Sequence, residues 1–384
     1  MSAAFIIFVL SIAFILYVLI GYPALLAGYA RIRPKLINKE PCTTARLSII
    51  IPVRNGASWI IPKLESLLAS EYPPDLIDVL VVSDGSNDGT DALVANFGDP
   101  RIRLLALPAG GKAVAVSAAL ERVTGELVVL TDVRQQFDRQ ALSRLVACFK
   151  DPKVGVVTGE LVIRQGSNSE EYNTGLYWRY EKWIRRNLNR VDAMLGATGA
   201  IYAIRRELAA PIPAEILLDD VYLPFVAAFQ GFRIYFEDAA KAYDFPTSLQ
   251  SEFRRKVRTQ AGIYQILMKF PGLLWPGNQR FIHFLSHKIG RLLLPFAMIS
   301  TLCLSLFITE PWRGIALLGQ ALFYGAGLVD PMVPENTIIK RITAVVRAFL
   351  VLTAAALCAV IVFFLPAQRL WKETRVGLAN KSTV

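Results

Sequence analysis

Ile77-Asp78-Val79-Leu80-Val81-Val82-Ser83-Asp84-Gly85-Ser86 is an apolar, largely β-branched run that stops dead at an Asp-Gly turn. That composition and length describe a buried strand, Ile77–Ser83, feeding a tight turn. The same pattern repeats on both sides. Leu47–Pro52 is a short apolar run ending in a proline turn, and Ser58–Ser70 carries apolar residues at helical spacing. Asp88–Phe97 is again helical, Arg101–Ala106 extended, Lys112–Val123 helical, and Leu127–Thr131 is a further apolar strand ending at Asp132. Alternation of strand and helix predicts an α/β domain built on a mostly parallel sheet. Such sheets bind ligands beyond the carboxyl ends of their strands, so the polar residues at those ends are the ones to inspect.

Outside this region the chain changes character. The 384 residues are 54% hydrophobic, with a mean hydropathy of +0.41, more apolar than a soluble domain. The excess lies at the two ends. Residues 3–30 are long and apolar enough to span a bilayer. They have no positive segment before them, exceed the apolar length of a signal peptide and lack a small-residue cleavage site. Arg31, Arg33, Lys35 and Lys39 follow at once, which places the downstream domain on the cytosolic side. Residues 271–288 mix Trp, Phe and His with Lys and Arg, as an interfacial segment does. Apolar stretches follow at 289–309, 312–330 and 343–365, with Pro331, Pro334, Lys340 and Arg341 between the last two. Three full spans would leave the tail outside, whereas Arg369, Lys372 and Arg375 favour inside. Either one stretch is interfacial or re-entrant, or the charge rule fails locally.

The formal net charge of +11 suits an anionic membrane surface or a phosphorylated substrate. Helix-turn-helix patterning, zinc-finger spacing and basic stretches interleaved with aromatics are all missing, so nucleic acid is not an expected partner. Cys42, Cys148, Cys303 and Cys358 are far apart and form no CxxC, which argues against a disulfide framework or a thiolate metal site. His283 and His287 share one helical face, but no glutamate lies between them as in HExxH.

Five places can carry chemistry. Asp84-Gly85-Ser86-Asn87-Asp88-Gly89 closes the second strand; it reads equally as a plain turn with a helix cap. Gly110-Gly111-Lys112 opens a helix, where backbone N–H groups and one ammonium can approach a phosphate, although the Walker spacing is absent. Asp132 ends a strand and can hold a divalent cation on diphosphate oxygens, or merely cap the strand. Asp219 and Asp220 are adjacent acids, each raising the other's pKa, so one can act as a general base; a helix N-terminus also favours acids. Arg254-Arg255-Lys256-Val257-Arg258 can clamp a diphosphate, or face anionic lipid.

Taken together, the order and spacing of these segments resemble the family 2 glycosyltransferases of the GT-A fold over residues 47–265. The membrane-integral branch, which includes cellulose, hyaluronan, chitin-oligosaccharide and poly-N-acetylglucosamine synthases, is the most similar. Ser48–Asn55 looks like that family's first strand and turn. Val82-Ser83-Asp84-Gly85-Ser86 is similar to its V-x-D-G-S nucleotide site, which implies that Asp84 contacts the base. Gly111-Lys112 resembles its G-K pair, implying Lys112 near the nucleotide. Thr131-Asp132 sits at the D-x-D metal motif, and Gly196–Arg205 resembles the glycine-rich segment ahead of the base. Asp219-Asp220 resembles the E-D pair, whose second acid is the base toward the acceptor. Trp371-Lys372-Glu373-Thr374-Arg375 looks like a common ending of this branch.

The resemblance implies a GT-A domain at 47–270, preceded by a transmembrane anchor at 1–30 and a basic linker at 31–46. Beyond it lie an interfacial segment at 271–288, membrane-associated helices at 289–365 and a basic tail at 366–384. It implies an inverting hexosyltransferase of the inner membrane, with the catalytic domain cytosolic. The donor is a nucleotide diphosphate sugar, UDP-linked, and the acceptor is lipid-linked or a glycan. Asp220, beside Asp219, is the catalytic base; Asp84, Lys112, Asp132 and Arg134 hold the donor; Arg255 and Arg258 face the diphosphate and acceptor. Three departures qualify this. The D-x-D reads Asp132-Val133-Arg134, so Mg2+ or Mn2+ has one aspartate, and Arg134 can neutralise diphosphate charge in its place. The Q-x-x-R-W segment reads Arg255-Lys256-Val257-Arg258-Thr259, without the tryptophan of processive synthases. Gly56 replaces an acid of the first turn. A degenerate, non-catalytic partner of a synthase is the alternative reading.

Overall fold

The computed structural model describes residues 2–163, 169–245, 248–334 and 337–364, with the side chains of 169–178 left aside. Its centre is an eight-stranded sheet. The strands are β1 (Leu47–Val53), β2 (Ile77–Asp84), β3 (Ile102–Leu107), β4 (Leu127–Leu130), β5 (Gln136–Phe137), β6 (Val154–Ile163), β7 (Tyr202–Arg205) and β8 (Arg233–Asp244). Their order is β3-β2-β1-β4-β7-β6-β8-β5. The first four strands are mutually parallel, β7 runs antiparallel to both β4 and β6, and β6 and β8 are parallel.

Alternation along the strands divides the core in two. In β1, Leu47, Ile49, Ile51 and Val53 face one cluster while Ile50 faces the other; in β4, Leu127 and Val129 oppose Val128 and Leu130. One face is covered by the helices Ala57–Leu68 and Ala141–Ala147. Each buried aliphatic side chain contributes about 1.5–3 kcal/mol of transfer free energy, so these two layers fix the register. The other face packs against Lys112–Leu120, Asp219–Phe229 and Leu249–Lys269, and this cluster also takes in Tyr22, Leu26 and Ala30 from the N-terminal helix and Phe284, Leu292, Ala356 and Ala359 from C-terminal helices.

Four helices among the described residues are long and apolar enough to cross a membrane: Ala3–Ile32, Phe281–Ser305, Trp312–Met332 and Ile338–Phe363. The first and second lie side by side, with Ser11 against Ser300 (3.1 Å), Tyr17 against Ser286 (2.7 Å) and Tyr22 against His283 (3.0 Å). The third and fourth are joined by a buried polar cluster. Asp330 accepts from Thr343 Oγ1 (2.7 Å), Arg347 (3.3 Å) and Lys340 (3.4 Å), whose ammonium also reaches the Asp330 carbonyl (2.9 Å). At its far end the fourth helix returns to the sheet domain: Phe363 packs on Tyr264 of Leu249–Lys269, ring centroids 5.1 Å apart. The basic tail and its Trp371–Arg375 segment lie outside the described residues. All four cysteines are free.

Candidate active site

The carboxyl ends of β1, β2 and β4 open on one edge of the sheet, and the chemistry-bearing residues collect there. Asp84 is the last residue of β2. Its Oδ1 accepts from the amides of Gly110 (2.6 Å) and Gly111 (3.0 Å), so the second-strand turn and the entrance to the Lys112 helix are one unit. Gly85 has a φ of +65°, and a side chain on it would meet the Ala109 amide at 2.8 Å, which explains a glycine here.

Lys112 begins its helix pointing into the cleft. Its Nζ lies 2.8 Å from Asp132 Oδ1 and 2.9 Å from Asp219 Oδ1. Burial opposes its charge, but Asp132, Asp219 and Asp220 outweigh that and hold the ammonium above its ordinary value. Asp132 is pinned through its backbone N–H to the Gly199 carbonyl (3.0 Å), and its side chain is 42% exposed to the cleft. Partial burial disfavours its charge, yet Lys112, Arg258 and Arg134 together keep its carboxyl below the usual range.

Asp219 and Asp220 form the first turn of their helix. Asp220 Oδ2 accepts from the Gly199 amide (2.9 Å). Burial first, then the neighbouring Asp219 and Asp132, push its carboxyl up to about 6, against the pull of Lys112. Gly199 sits at the middle of the group. A β-carbon there would come within 3.2 Å of Asp132 Oδ2, 3.4 Å of Lys112 Nζ and 3.5 Å of Asp220 Oδ2. Beneath them the Tyr202 hydroxyl is buried close enough to feel Asp219 without meeting hydrogen-bond geometry, and burial keeps it protonated.

The two basic positions divide. Arg258 faces the acids: burial lowers its pKa while Asp132 and Asp220 raise it. Arg255 bonds Glu252 at 2.6 Å and also stands close enough to Arg258 to lower its pKa. Arg134, by contrast, is turned onto Asp244 (2.6 Å), which also accepts from Gln135 (2.7 Å). The structure therefore brings Lys112, Asp132, Asp219, Asp220 and Arg258 together and joins Asp84 to them through Gly110 and Gly111, while Arg134 bonds Asp244 and stays within electrostatic reach of Asp132. Sequence reasoning did not single out Asp244, Tyr202 or Lys63. The last is fully buried, donating to Thr131 Oγ1 (2.7 Å) and the Gln135 carbonyl (2.5 Å) beneath the Asp132 turn. Burial lowers its pKa strongly. A lone buried lysine in an otherwise apolar helix face was the available signal.

For a divalent ion, no group of three or more His, Cys, Asp or Glu among the described residues forms a cage. Asp132 has Oδ1 on Lys112 Nζ (2.8 Å) and a side chain that is 42% exposed, and Mg2+ is often held by one or two carboxylates with the remaining positions filled by substrate phosphates and water. The residues therefore fit an ion completed by the diphosphate. His283 and His287 do not compose a metal pair: His283 bonds Tyr22, and His287 Nε2 faces Glu181 Oε2 at 3.8 Å.

A mixed α/β sheet, parallel over its first four strands, with acids and a lysine at this edge is the GT-A arrangement of nucleotide-diphospho-sugar transferases. Residues 48–211 match the profile described as Glycosyl transferase family 2, and the chain is a glycosyltransferase carrying a domain of that family. An N-acetylglucosaminyltransferase of Rhizobium meliloti (strain 1021) is 29% identical over 332 residues, 78% of this chain and 76% of the relative. Another, of Mesorhizobium japonicum, is 26% identical over 71% of this chain and 69% of its own. The fold is shared with a mannosyltransferase from Pyrobaculum calidifontis solved with GDP-Man and Mn2+, at a TM-score of 0.72 and 21% identity, covering 92% of this chain and 98% of that one.

Proposed function

We propose that the chain transfers a sugar from a UDP-linked donor, with inversion, to a hydroxyl of a lipid-linked or glycan acceptor at the cytosolic membrane face. The observation that carries this is Asp220: its Oδ2 is anchored by the Gly199 amide and its carboxyl is pushed up to about 6, poised as a base near neutral pH. Asp220 takes the proton from the acceptor hydroxyl as that oxygen bonds to the anomeric carbon. The bond from that carbon to the diphosphate oxygen breaks on the opposite side. Lys112 and Arg258 meet the charge that develops on the leaving diphosphate. Asp84, with the Gly110 and Gly111 amides, lies where the nucleotide would seat. A Mg2+ or Mn2+ at Asp132 would add charge neutralisation on the diphosphate.

The N-acetylglucosaminyl relatives support UDP-N-acetylglucosamine as the donor to try first. Basic residues directly after the first apolar helix support a cytosolic domain. The Phe363–Tyr264 contact supports a fourth apolar stretch that ends beside that domain, where the basic tail also favours it. The absent tryptophan in the Arg255–Thr259 segment favours single addition over polymer synthesis. The test is Asp220→Asn in the full-length protein. Transfer should fall by about 10²–10⁴-fold while the donor still binds; full activity in this variant would sink the assignment.

A further inference from the structure

One titratable side chain stands in the apolar layer beneath the sheet, and the chemistry above makes no use of it. Lys63 lies on the helix Ala57–Leu68, on the face that also carries Ile60, Leu64 and Leu67, and all four are fully buried. A leucine or methionine would fill this place without the cost of taking an amine out of water. What a lysine adds is hydrogen-bond donors at the end of a long stem.

Those donors meet both ends of one turn. Nζ donates to Thr131 Oγ1 (2.7 Å) and to the Gln135 carbonyl (2.5 Å), and it lies 3.9 Å from the centre of the Phe137 ring. Between the two ends the chain presents Asp132, whose side chain is 42% exposed. A second bond leads onward. The Thr131 hydroxyl donates to the Ala200 carbonyl (2.7 Å), which is nearer than the Asp132 carbonyl (3.3 Å). Ala200 follows Gly199, whose amide holds Asp220 Oδ2 (2.9 Å) and whose carbonyl accepts from the Asp132 backbone (3.0 Å). Lys63, Thr131 and Ala200 are all buried, so water does not compete for these bonds.

We propose that Lys63 is a positioning residue of the transferase. Through Thr131 it holds the Asp132 turn and the Gly199 segment in one register, so that the carboxylates serving donor and acceptor keep their separation. This rests on the roles proposed above for Asp132 and Asp220. Lys63 itself is fully buried and touches neither substrate.

The test measures UDP release from UDP-N-acetylglucosamine, with free N-acetylglucosamine as acceptor, on the full-length protein in detergent micelles. UDP affinity, the unfolding midpoint and amide hydrogen exchange are read on the same samples. Lys63→Met keeps the length of the side chain without its donors. It should lower turnover per folded molecule about tenfold or more, because a small misplacement of reacting groups is costly. UDP affinity should stay near wild type, since Asp84, Gly110 and Gly111 are bonded to one another apart from this chain. Thr131→Val should lose as much as Lys63→Met, and Thr131→Ser, which restores the hydroxyl, should recover most of it. The double variant Lys63→Met/Thr131→Val should be no worse than either single change, as expected of one chain. Exchange should quicken at 131–136 and 197–202 together.

Unchanged turnover in Lys63→Met and Thr131→Val, whatever their unfolding midpoints, would overturn the proposal. Additive losses in the double variant would do the same. If Lys63→Met does not fold, the Thr131→Val and Thr131→Ser pair decides alone. A wild type that releases no UDP would count against the donor and acceptor proposed above, and hydrogen exchange would then decide the role of Lys63. Faster exchange confined to 131–136 would overturn it.

Discussion

Two buried polar clusters in this chain each place a lysine against an aspartate, and they are built to opposite ends. Around Asp330, Lys340, Thr343 and Arg347 all donate to one carboxylate, so the acid is saturated. Around Lys112 the stoichiometry is reversed: Asp132, Asp219 and Asp220 share one close lysine, Asp219 Oδ2 has no hydrogen-bond partner among the described residues, and Asp220 is pushed up to about 6. A saturated cluster holds two helices together and has nothing left to offer a ligand. The cluster with surplus acid keeps proton-accepting capacity in reserve, at a cost in stability.

Matched substitutions can break this comparison. Lys112→Met should lower transfer by about 100-fold or more, because the diphosphate loses its ammonium and the acids lose the charge that keeps them ionised. Its pH–rate profile should also shift upward, measured with the wild type under one buffer series. Lys340→Met should do the reverse. Breaking one partner of a buried pair costs about 3–5 kcal/mol, read as a lowered midpoint of unfolding, while turnover per folded molecule stays near wild type. Equal effects on turnover from both would dissolve the distinction.

Smaller effects sharpen it. Gly199→Ala pushes a methyl to within 3.2–3.5 Å of Asp132, Lys112 and Asp220; transfer should drop about tenfold with little change in fold, since each acid need move only a few tenths of an ångström. In the wild type, kcat/KM should fall tenfold per pH unit below about 6, as Asp220 takes a proton before the acceptor can offer one. The same shift carries a stability sign. A raised folded pKa means that the folded state binds the proton more tightly than the unfolded chain. The group therefore favours folding most below about 4, and that contribution is lost as pH rises to about 6. Asp220→Asn should accordingly gain on the order of 1 kcal/mol at pH 7.5 while losing activity, measured by chemical denaturation. No gain would mean that holding Asp220 ionised carries no such cost, which would count against the raised pKa.

Much of this is legible in the sequence. β1, β2 and β4 alternate or run apolar and end in turn residues, so the expected strands match the observed ones to within a residue or so, and Asp84 and Asp132 had to emerge on one edge. The adjacency of Asp219 and Asp220 to Lys112 spans more than a hundred residues; the order of motifs suggested it, but only the return of β7 beside β4 brings Gly199 and the acids under Lys112. What a linear pattern does not carry is the fate of a side chain whose partner is distant and unremarkable. Arg134 reads as a cation facing the diphosphate, yet its partner is Asp244 at the end of β8, 110 residues away. Gly199 is one glycine among 25, and its role comes from what surrounds it.

The hydrophobic cluster that joins Tyr22, Leu26 and Ala30 to Val128, Leu130 and Leu223, and these to Phe284, Leu292 and Ala359, has a practical consequence. Catalytic and membrane parts have no seam between them. A soluble enzyme made by cutting at residues 47 and 270 would lose Phe284 from Phe225 and Phe363 from Tyr264, uncovering apolar side chains, and would aggregate or refold around a smaller centre. For anyone engineering this transferase, the unit to keep is the whole chain. The bilayer is best treated as part of its solvent from the first purification step.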